Sequence, residues 1–320
     1  MPAMKSPTPK KFLKSSQLTP PNALEMFALG VLGLSLSPFY ILLASFHNVP
    51  GLHFRWKCLK LGLTLLFGRK AATDLKTIFL ILLYPLDSTR YFELDFAWKT
   101  LKTHPLNKYL DISSPRLLFT LFLLEDKSLH AELVNPDKSD LVETAGLLKA
   151  AGLAARCRLH DCIISESKFQ PGSFDLISSI SVIEHIPEDR QAIEKMWQLL
   201  KPGGRLLITV PCAAKTLEQY IDRDEFGLHG GASGGHVFWQ RFYDPELLID
   251  RIFSVTGEPV RQAVFGERAP GLFQKMVERK RQNRFYPFWR EPYMTGQDYR
   301  FFQRVEDLPG EGVIAMEFVK

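Results

Sequence analysis

The chain of 320 residues contains only four cysteines and a modest share of charged side chains. The cysteines form no CxxC pair and show no metal-ligand spacing, so neither a disulfide scaffold nor a metal centre is predicted. Reduced thiols, as in cytosolic proteins, are expected at Cys58, Cys157, Cys162 and Cys212. Charged residues make up 23% and apolar residues 46% of the chain. This balance excludes disorder as the overall state and is ample for a large core.

Three further patterns are missing. The chain has no GxGxxG turn and no Tyr-x-x-x-Lys pattern, which disfavours a nicotinamide-dependent oxidoreductase. It has no basic stripe interleaved with aromatic residues, so no nucleic-acid partner is expected. It also contains no internal repeat.

Charge is distributed unevenly along the chain. The first 110 residues carry 14 Lys/Arg and 5 Asp/Glu, a net charge of +9, and the remaining 210 carry 26 and 30, a net charge of −4. A basic and apolar first third before an acidic body indicates contact with anionic lipid through residues 22–70.

The N-terminal third divides into two parts. Residues 1–21 are rich in Pro, Ser and Lys and are predicted to be a disordered tail, whereas residues 22–83 are predicted to form a hydrophobic helical segment. Residues 26–46 contain no charge and are long enough to cross a bilayer. Three interpretations stay open: one transmembrane helix, a pair of interfacial helices, or a helical cap on the remaining domain. A cleaved signal peptide is not expected, because the apolar stretch is too long and no small-residue cleavage site follows it.

The order of elements after residue 169 indicates a parallel α/β sheet. An apolar run over residues 174–183 is followed by Glu184-His185-Ile186-Pro187, a helical pattern, the turn Lys201-Pro202-Gly203-Gly204 and a second apolar strand over residues 205–210. Strand, helix and strand in this order form a βαβ unit. Ligands of such sheets bind at the carboxyl ends of the strands, where Glu184 and His185 are expected.

The segments FDLISSISVIEHIP and LLKPGGRLLITVP resemble the class I S-adenosylmethionine (SAM)-dependent methyltransferases, in the branch with a VLEHI loop and an LKPGG turn (methyltransferase type 11-like). The resemblance covers residues 84–210 well and the C-terminal third loosely, and residues 84–320 are interpreted as one domain. It implies an α/β fold with a Rossmann-like seven-stranded sheet, helices on both faces and an antiparallel last strand. The N-terminal helical hydrophobic extension has no counterpart in the family.

The resemblance also implies the cofactor, SAM, and its site. Asp111 matches the acid of the family pattern LDxGxGxG, but the glycines do not match, and the turn here is Ser113-Ser114-Pro115-Arg116. Asn135 stands where the family has an acid, and Asp137 is either a rival ribose ligand or the cap of the next helix. The cofactor-binding residues implied in this way are Asp111, Ser113, Ser114, Asn135, Asp137, Asp161, Cys162 and Ser181.

His185 is the candidate catalytic base, since an imidazole titrates near neutral pH. A glycine-rich loop over residues 222–235, with His229 and His236 at its end, is predicted to be a lid, and the basic segment 274–284 is either a second membrane contact or a solvated helix. The predicted activity is methyl transfer to a small-molecule, glycan or lipid acceptor, in the cytoplasm or at the cytosolic face of a membrane. The alternative is an inactive, methyltransferase-like binding or assembly protein, because the glycines are missing and Asn135 replaces an acid.

Overall fold

The computed structural model describes residues 8–13, 19, 21–68, 75–86, 88–103, 106–222, 224 and 235–320. Within them the strands are β1 Lys10–Leu13, β2 Lys108–Ile112, β3 His130–Val134, β4 Cys157–His160, β5 Phe174–Ile180, β6 Leu200–Cys212, β7 Leu217–Ile221, β8 Val237–Phe242, β9 Arg261–Glu267, β10 Tyr299–Phe302 and β11 Gly312–Val319. The helices are α1 Ala23–Ser45, α2 His53–Phe67, α3 Leu75–Leu83, α4 Arg90–Thr103, α5 Arg116–Glu125, α6 Lys138–Ala150, α7 Asp189–Leu199, α8 Pro245–Leu248, α9 Ser254–Thr256, α10 Leu272–Gln282 and α11 Glu291–Asp298.

The central sheet has the strand order β10-β9-β11-β6-β5-β2-β3-β4. Strands β2 to β6 are mutually parallel, and β11 runs antiparallel to both β6 and β9. The α/β class, the helices on both faces and the antiparallel last strand are therefore confirmed. The sheet has eight strands instead of seven, because β10 adds an antiparallel edge beside β9. Along the chain, the strand order reverses between β2 and β5, the position at which such sheets bind ligands.

Two apolar layers hold the sheet between its helices. On one face, buried leucines and phenylalanines of α4 and α5 pack with α2, α3 and α6, and Phe119 and Phe122 are fully enclosed. On the other face, Ile193, Met196 and Leu199 of α7 pack against β5 and β6. These residues recur at helical spacing, so one face of α7 is apolar.

Helices α1, α2 and α3 form a unit, here called the N-terminal helical unit, over the residues predicted to be helical and hydrophobic. α1 begins with a capping box, in which Asn22 and Glu25 bond each other's backbone N–H groups. Gly62 lets α3 approach α2 closely, since a Cβ there would lie 2.5 Å from Leu82. The buried Arg55 of α2 donates to the carbonyl of Leu83 at 3.1 Å and satisfies the end of α3.

One helix of the described residues is long and apolar enough to cross a membrane. Residues Leu24–Ser45 have a mean hydropathy of 2.0, and only 17% of that apolar window is buried against the rest of the protein.

A second sheet, with the order β1-β7-β8, differs from the sequence-based expectation. Four residues of the predicted disordered tail form β1, which pairs in parallel with β7 from Lys10 beside Glu218 to Leu13 beside Ile221. The edge of β7 offers unpaired backbone groups, and the ring of Phe12 lies 5.7 Å from that of Tyr220. The tail is therefore not disordered at these four positions.

Other boundaries shift by a few residues. The predicted Pro-Gly-Gly turn is the extended start of β6, where Gly203 adopts φ +77° and donates its N–H to the carbonyl of Lys320. The predicted basic segment after residue 274 is largely helix α10, which buries only Met276. The predicted lid falls mostly on residues 223 and 225–234, including His229, which lie outside the described residues.

Candidate functional site

A cavity of about 870 Å³ opens at the carboxyl ends of β2, β3 and β5. The loops after these strands form its floor, the first turns of α5, α6 and α7 form its sides, and α3 with the segment after it forms a further wall. The volume lies in the upper range for pockets that enclose a small molecule. Lining residues at the strand ends are Ser113, Ser114, Asn135, Asp137, Ser181 and His185.

The turn between β2 and α5 approaches the cavity in a conformation that usually needs glycine. Ser113 has φ +49°, in the left-handed region, and its N–H and hydroxyl both donate to the carbonyl of Val134. Pro115 precedes the first helical residue of α5. The replacement of glycine by serine therefore keeps the backbone path that lets a ligand approach the turn closely.

Asp111 lies below this turn and does not reach the cavity wall. Its side chain is fully buried and accepts from the Tyr109 hydroxyl at 2.6 Å, the Ser178 hydroxyl at 2.5 Å and the N–H of Ser114 at 2.9 Å. Burial raises the pKa of Asp111, and these hydrogen bonds oppose the rise. Its position indicates a role in fixing the Ser113–Ser114 turn.

The end of β3 carries a hydrogen-bonded polar cluster. Asn135 is buried; its amide donates to Asp140 at 2.8 Å and its oxygen accepts from the N–H of Asp137 at 2.9 Å. Asp137 caps α6 by accepting from the N–H groups of Ser139 and Asp140, so the capping alternative is confirmed. Both Asn135 and Asp137 nevertheless line the cavity. The N–H of Ser139 and its hydroxyl lower the pKa of Asp137, with the hydroxyl as the largest cause.

The end of β4 contributes less than expected. Asp161 and Cys162 are not among the residues that line the cavity. The Asp161 side chain is 48% exposed and lies 3.3 Å from Lys138 Nζ. Ile163, Ile164 and Ser165, which follow in the chain, line the cavity instead. The apolar side chains of Ile163 and Ile164 carried no chemical signal in the sequence.

Ser181 at the end of β5 also has a positive φ, +50°. Its hydroxyl donates to Glu93 Oε1, which also accepts from the Thr209 hydroxyl at 2.6 Å. Glu93 is fully buried and its other oxygen pairs with Arg90 at 3.0 Å. Helix α4 thus anchors the loop after β5 from beneath and brings Arg90 to the cavity wall.

His185 lines the cavity and is oriented by the second sheet. Its Nδ1 lies 2.6 Å from the carbonyl oxygen of Trp239 in β8. A carbonyl can only accept, so Nδ1 carries a proton, and in the neutral imidazole the lone pair is on Nε2. The same strand holds the rest of the loop, because Arg241 donates to the carbonyl of Pro187 at 3.0 Å and pairs with Asp189 at 2.6 Å. β8 is the element that sequence reasoning missed, since no motif marks Trp239.

Glu184, which precedes His185, is buried. One of its carboxyl oxygens has no hydrogen-bond partner within the described residues. Its other oxygen lies 3.9 Å from His185 Nε2. Burial raises the pKa of Glu184 from 4.5 to about 8. The described residues contain no group of three His, Cys, Asp or Glu side chains that could hold a metal ion.

Residues 120–208 match the model of a family described as a methyltransferase domain. An arsenite methyltransferase of Aquipseudomonas alcaligenes is 34% identical over 94 residues, 27% of each chain. A ubiquinone biosynthesis O-methyltransferase of Caulobacter vibrioides is 35% identical over 97 residues, 30% of this chain and 37% of that protein. The chain therefore spans well under half the length of these curated relatives.

The solved structure of the MccD protein shares the fold. It superposes with a TM-score of 0.50 at 11% identity, over 72% of this chain and 97% of that one.

Proposed function

We propose that this chain, which belongs to the class I SAM-dependent methyltransferase superfamily, transfers a methyl group from SAM to a small-molecule, glycan or lipid acceptor at the cytosolic face of a membrane. The observation that carries the proposal is the cavity where the strand order reverses. Two serines at its floor, Ser113 and Ser181, have backbone φ angles in the left-handed region. A backbone in this conformation at the first strand end is what close approach of an adenosyl ligand requires.

The residues of the wall fit SAM by their chemistry. Asp137 and Glu143 are acceptors for ribose hydroxyls, and the remaining N–H of Asn135 can donate to one. Arg90 and the amino end of α5 place positive charge where a carboxylate would be held. Ile163 and Ile164 supply apolar surface for a base ring. Asp111 supports the turn from behind and is assigned no contact with the cofactor.

SAM, when bound, supplies an activated methyl group on a positively charged sulfur, so the protein contributes mainly alignment and exclusion of water. The wall residues named above would hold SAM in the cavity, and SAM would supply its methyl carbon to the acceptor atom. His185 Nε2 takes the proton that an oxygen or nitrogen acceptor loses, because Nδ1 is already engaged with Trp239. The Trp239 carbonyl keeps the ring in this tautomer.

Calorimetry with SAM and S-adenosylhomocysteine tests the cofactor, with two substitutions at one position. Ser113→Gly keeps the left-handed backbone and is expected to bind both ligands about as tightly as the natural protein. Ser113→Val places a β-branched residue in that conformation and is expected to bind at least about tenfold more weakly. Absence of heat with either ligand for the unmodified chain would favour the inactive binding protein over the enzyme.

Label transfer from methyl-labelled SAM tests the proton acceptor. His185→Gln is expected to retain SAM binding and to lower the transfer rate by roughly 10²-fold or more, as for loss of a general base. Unchanged transfer in this variant would remove His185 from the mechanism and leave the cofactor assignment standing.

A further inference from the structure

The N-terminal helical unit exposes an apolar surface made of side chains from all three of its helices. On α1 and at its C-cap, Phe46, most of the exposed large side chains recur at spacings of three and four residues, which places them on one side of the helix. Each is about half exposed or more. They are Leu24, Phe27, Val31, Leu32, Leu34, Phe39, Leu42 and Phe46, and the surface continues over Trp56, Leu66 and Phe67 of α2 and Leu75 and Leu80 of α3.

The opposite face of α1 contacts residues 284–297 at three places. At its first turn, Glu25 pairs with Arg284. Halfway along, a Cβ on Gly33 would lie 3.0 Å from the ring of Trp289. Beyond its last turn, His47 bonds Gln297 at 2.6 Å. Both ends of the helix are therefore bonded to the same body.

This arrangement decides how α1 can meet a bilayer. A helix of 22 residues is about 33 Å long, close to the thickness of a hydrocarbon core. If α1 crossed that core, the body beside it would cross as well, with the guanidinium of Arg290 that lies 5.8 Å from the Tyr40 ring. Charged groups at this depth are costly. A helix lying parallel to the surface keeps Arg284, Arg290 and Gln297 in water.

Helix α3 links this surface to the cavity. Thr77, Leu80 and Ile81 line the cavity, while Leu75 of the same helix is 76% exposed and Leu80 is 37% exposed. An apolar chain lying along α3 would therefore pass from the exposed surface to the cavity without crossing water. The polar residues His185 and Ser181 stand on the floor of the same cavity.

We infer that the N-terminal helical unit lies in the plane of one leaflet and that the acceptor is a lipid, which enters the cavity along α3 with its polar end toward His185. The inference rests on the proposed methyl transfer and adds the substrate class and its route. The basic first third favours a bilayer over a protein partner as the occupant, because Lys60 and Lys76 are exposed beside the apolar surface and match anionic headgroups.

Vesicle flotation of the full chain tests the surface. Binding to phosphatidylcholine vesicles is expected, and stronger binding when phosphatidylglycerol is included. Phe27→Glu with Leu42→Glu, at side chains 69% and 57% exposed, is expected to weaken binding at least about tenfold. Val142→Glu with Ile249→Glu, at apolar side chains 72% and 57% exposed elsewhere, is the matched control and is expected to bind unchanged.

Failure of the unmodified chain to float, or equal loss in both double variants, overturns the inference. Concentration-dependent self-association that only the α1 variant abolishes, without vesicle binding, would show a second copy to be the occupant and would also overturn it.

Labelling with an impermeant maleimide separates an in-plane helix from a spanning one. The protein is added outside sealed vesicles after the partly exposed Cys157 and Cys162 are changed to serine. Thr19→Cys, before α1, and Lys127→Cys, in the body, are both expected to react. Protection of the residue-19 thiol alone would mean that α1 spans the bilayer.

The acceptor is tested with methyl-labelled SAM and vesicles of a total lipid extract from cells that naturally carry the protein. Label is expected in the chloroform phase, and Leu80→Glu is expected to reduce it at least about tenfold while SAM binding persists. Label only in the aqueous phase, or in neither phase, overturns the lipid acceptor. SAM calorimetry on the same preparations keeps the failures distinct: SAM binding without vesicle binding ends this inference alone, whereas no SAM binding ends the proposed function.

Discussion

The strand-end side of the cavity buries its polar groups, whereas the helical side exposes its apolar ones. Beneath the turn after β2, Asp111, Tyr109 and Ser178 are fully buried and bonded to one another. In the N-terminal helical unit, α1 exposes about half of its apolar residues to solvent and buries little of its length. Each departs from the usual distribution of side chains in a soluble domain. The buried polar residues fix the turn after β2, and the exposed apolar residues are those that we propose to contact lipid.

The largest loss of stability is expected on the polar side. Asp111→Ala removes the acceptor of two buried hydroxyls and one buried N–H, and should lower the free energy of unfolding by roughly 3 kcal/mol or more. Urea denaturation measures it. Asp111→Asn keeps an acceptor for the N–H of Ser114 and should cost less. Equal stability of all three proteins would mean that this network does not hold the turn.

An intermediate effect is expected at Glu184, because its raised pKa links stability to pH. The folded protein holds the proton up to about pH 8, whereas the unfolded chain releases it near the ordinary value of 4.5. Stability is therefore lost as the pH rises between these values. Glu184→Gln should remove most of that loss when unfolding is measured from about pH 5 to about pH 9.

Glu194→Gln, at an exposed side chain that pairs with Arg190, is the control for Glu184 and should leave the pH profile unchanged. If Glu184→Gln also left it unchanged, the buried carboxyl would not be protonated in the folded protein.

The smallest effect is expected on the apolar side. Phe27→Glu with Leu42→Glu should change the free energy of unfolding in buffer by no more than about 0.5 kcal/mol, because both side chains are largely exposed. Leu118→Ala, at a fully buried residue of α5, should cost about 2–5 kcal/mol. A large loss of unfolding free energy in the Phe27→Glu, Leu42→Glu variant, measured without lipid, would mean that these side chains are part of the core. The contrast between the two sides of the molecule would then be wrong.

Much of the fold could be predicted because the signals are local. Strands β5 and β6 form over the apolar runs predicted at residues 174–183 and 205–210, and β11 is the antiparallel last strand that the family resemblance implied. Of the site, Ser113, Ser114, Asn135, Asp137, Ser181 and His185 come together at one cavity, as the common edge of parallel strands requires.

The remainder depends on contacts between distant residues. Asp111 stands where the family has its acid, but only its three buried hydrogen bonds show that it faces away from the cavity. The sequence of α4 does not predict that Glu93 accepts hydrogen bonds from Ser181 and Thr209, which lie far along the chain. The sequence also does not predict that β8 orients His185, because the bond is to a backbone carbonyl, which every residue has.

The support of α1 by residues 284–297 has a consequence for synthesis. α1 leaves the ribosome long before Arg284, Trp289 and Gln297 are synthesised, so for most of translation this support is missing. During that interval the face of α1 that later contacts residues 284–297 is open to solvent, chaperone or lipid. The order in which the ribosome delivers the two segments thus gives a nearby bilayer the first opportunity to receive the helix.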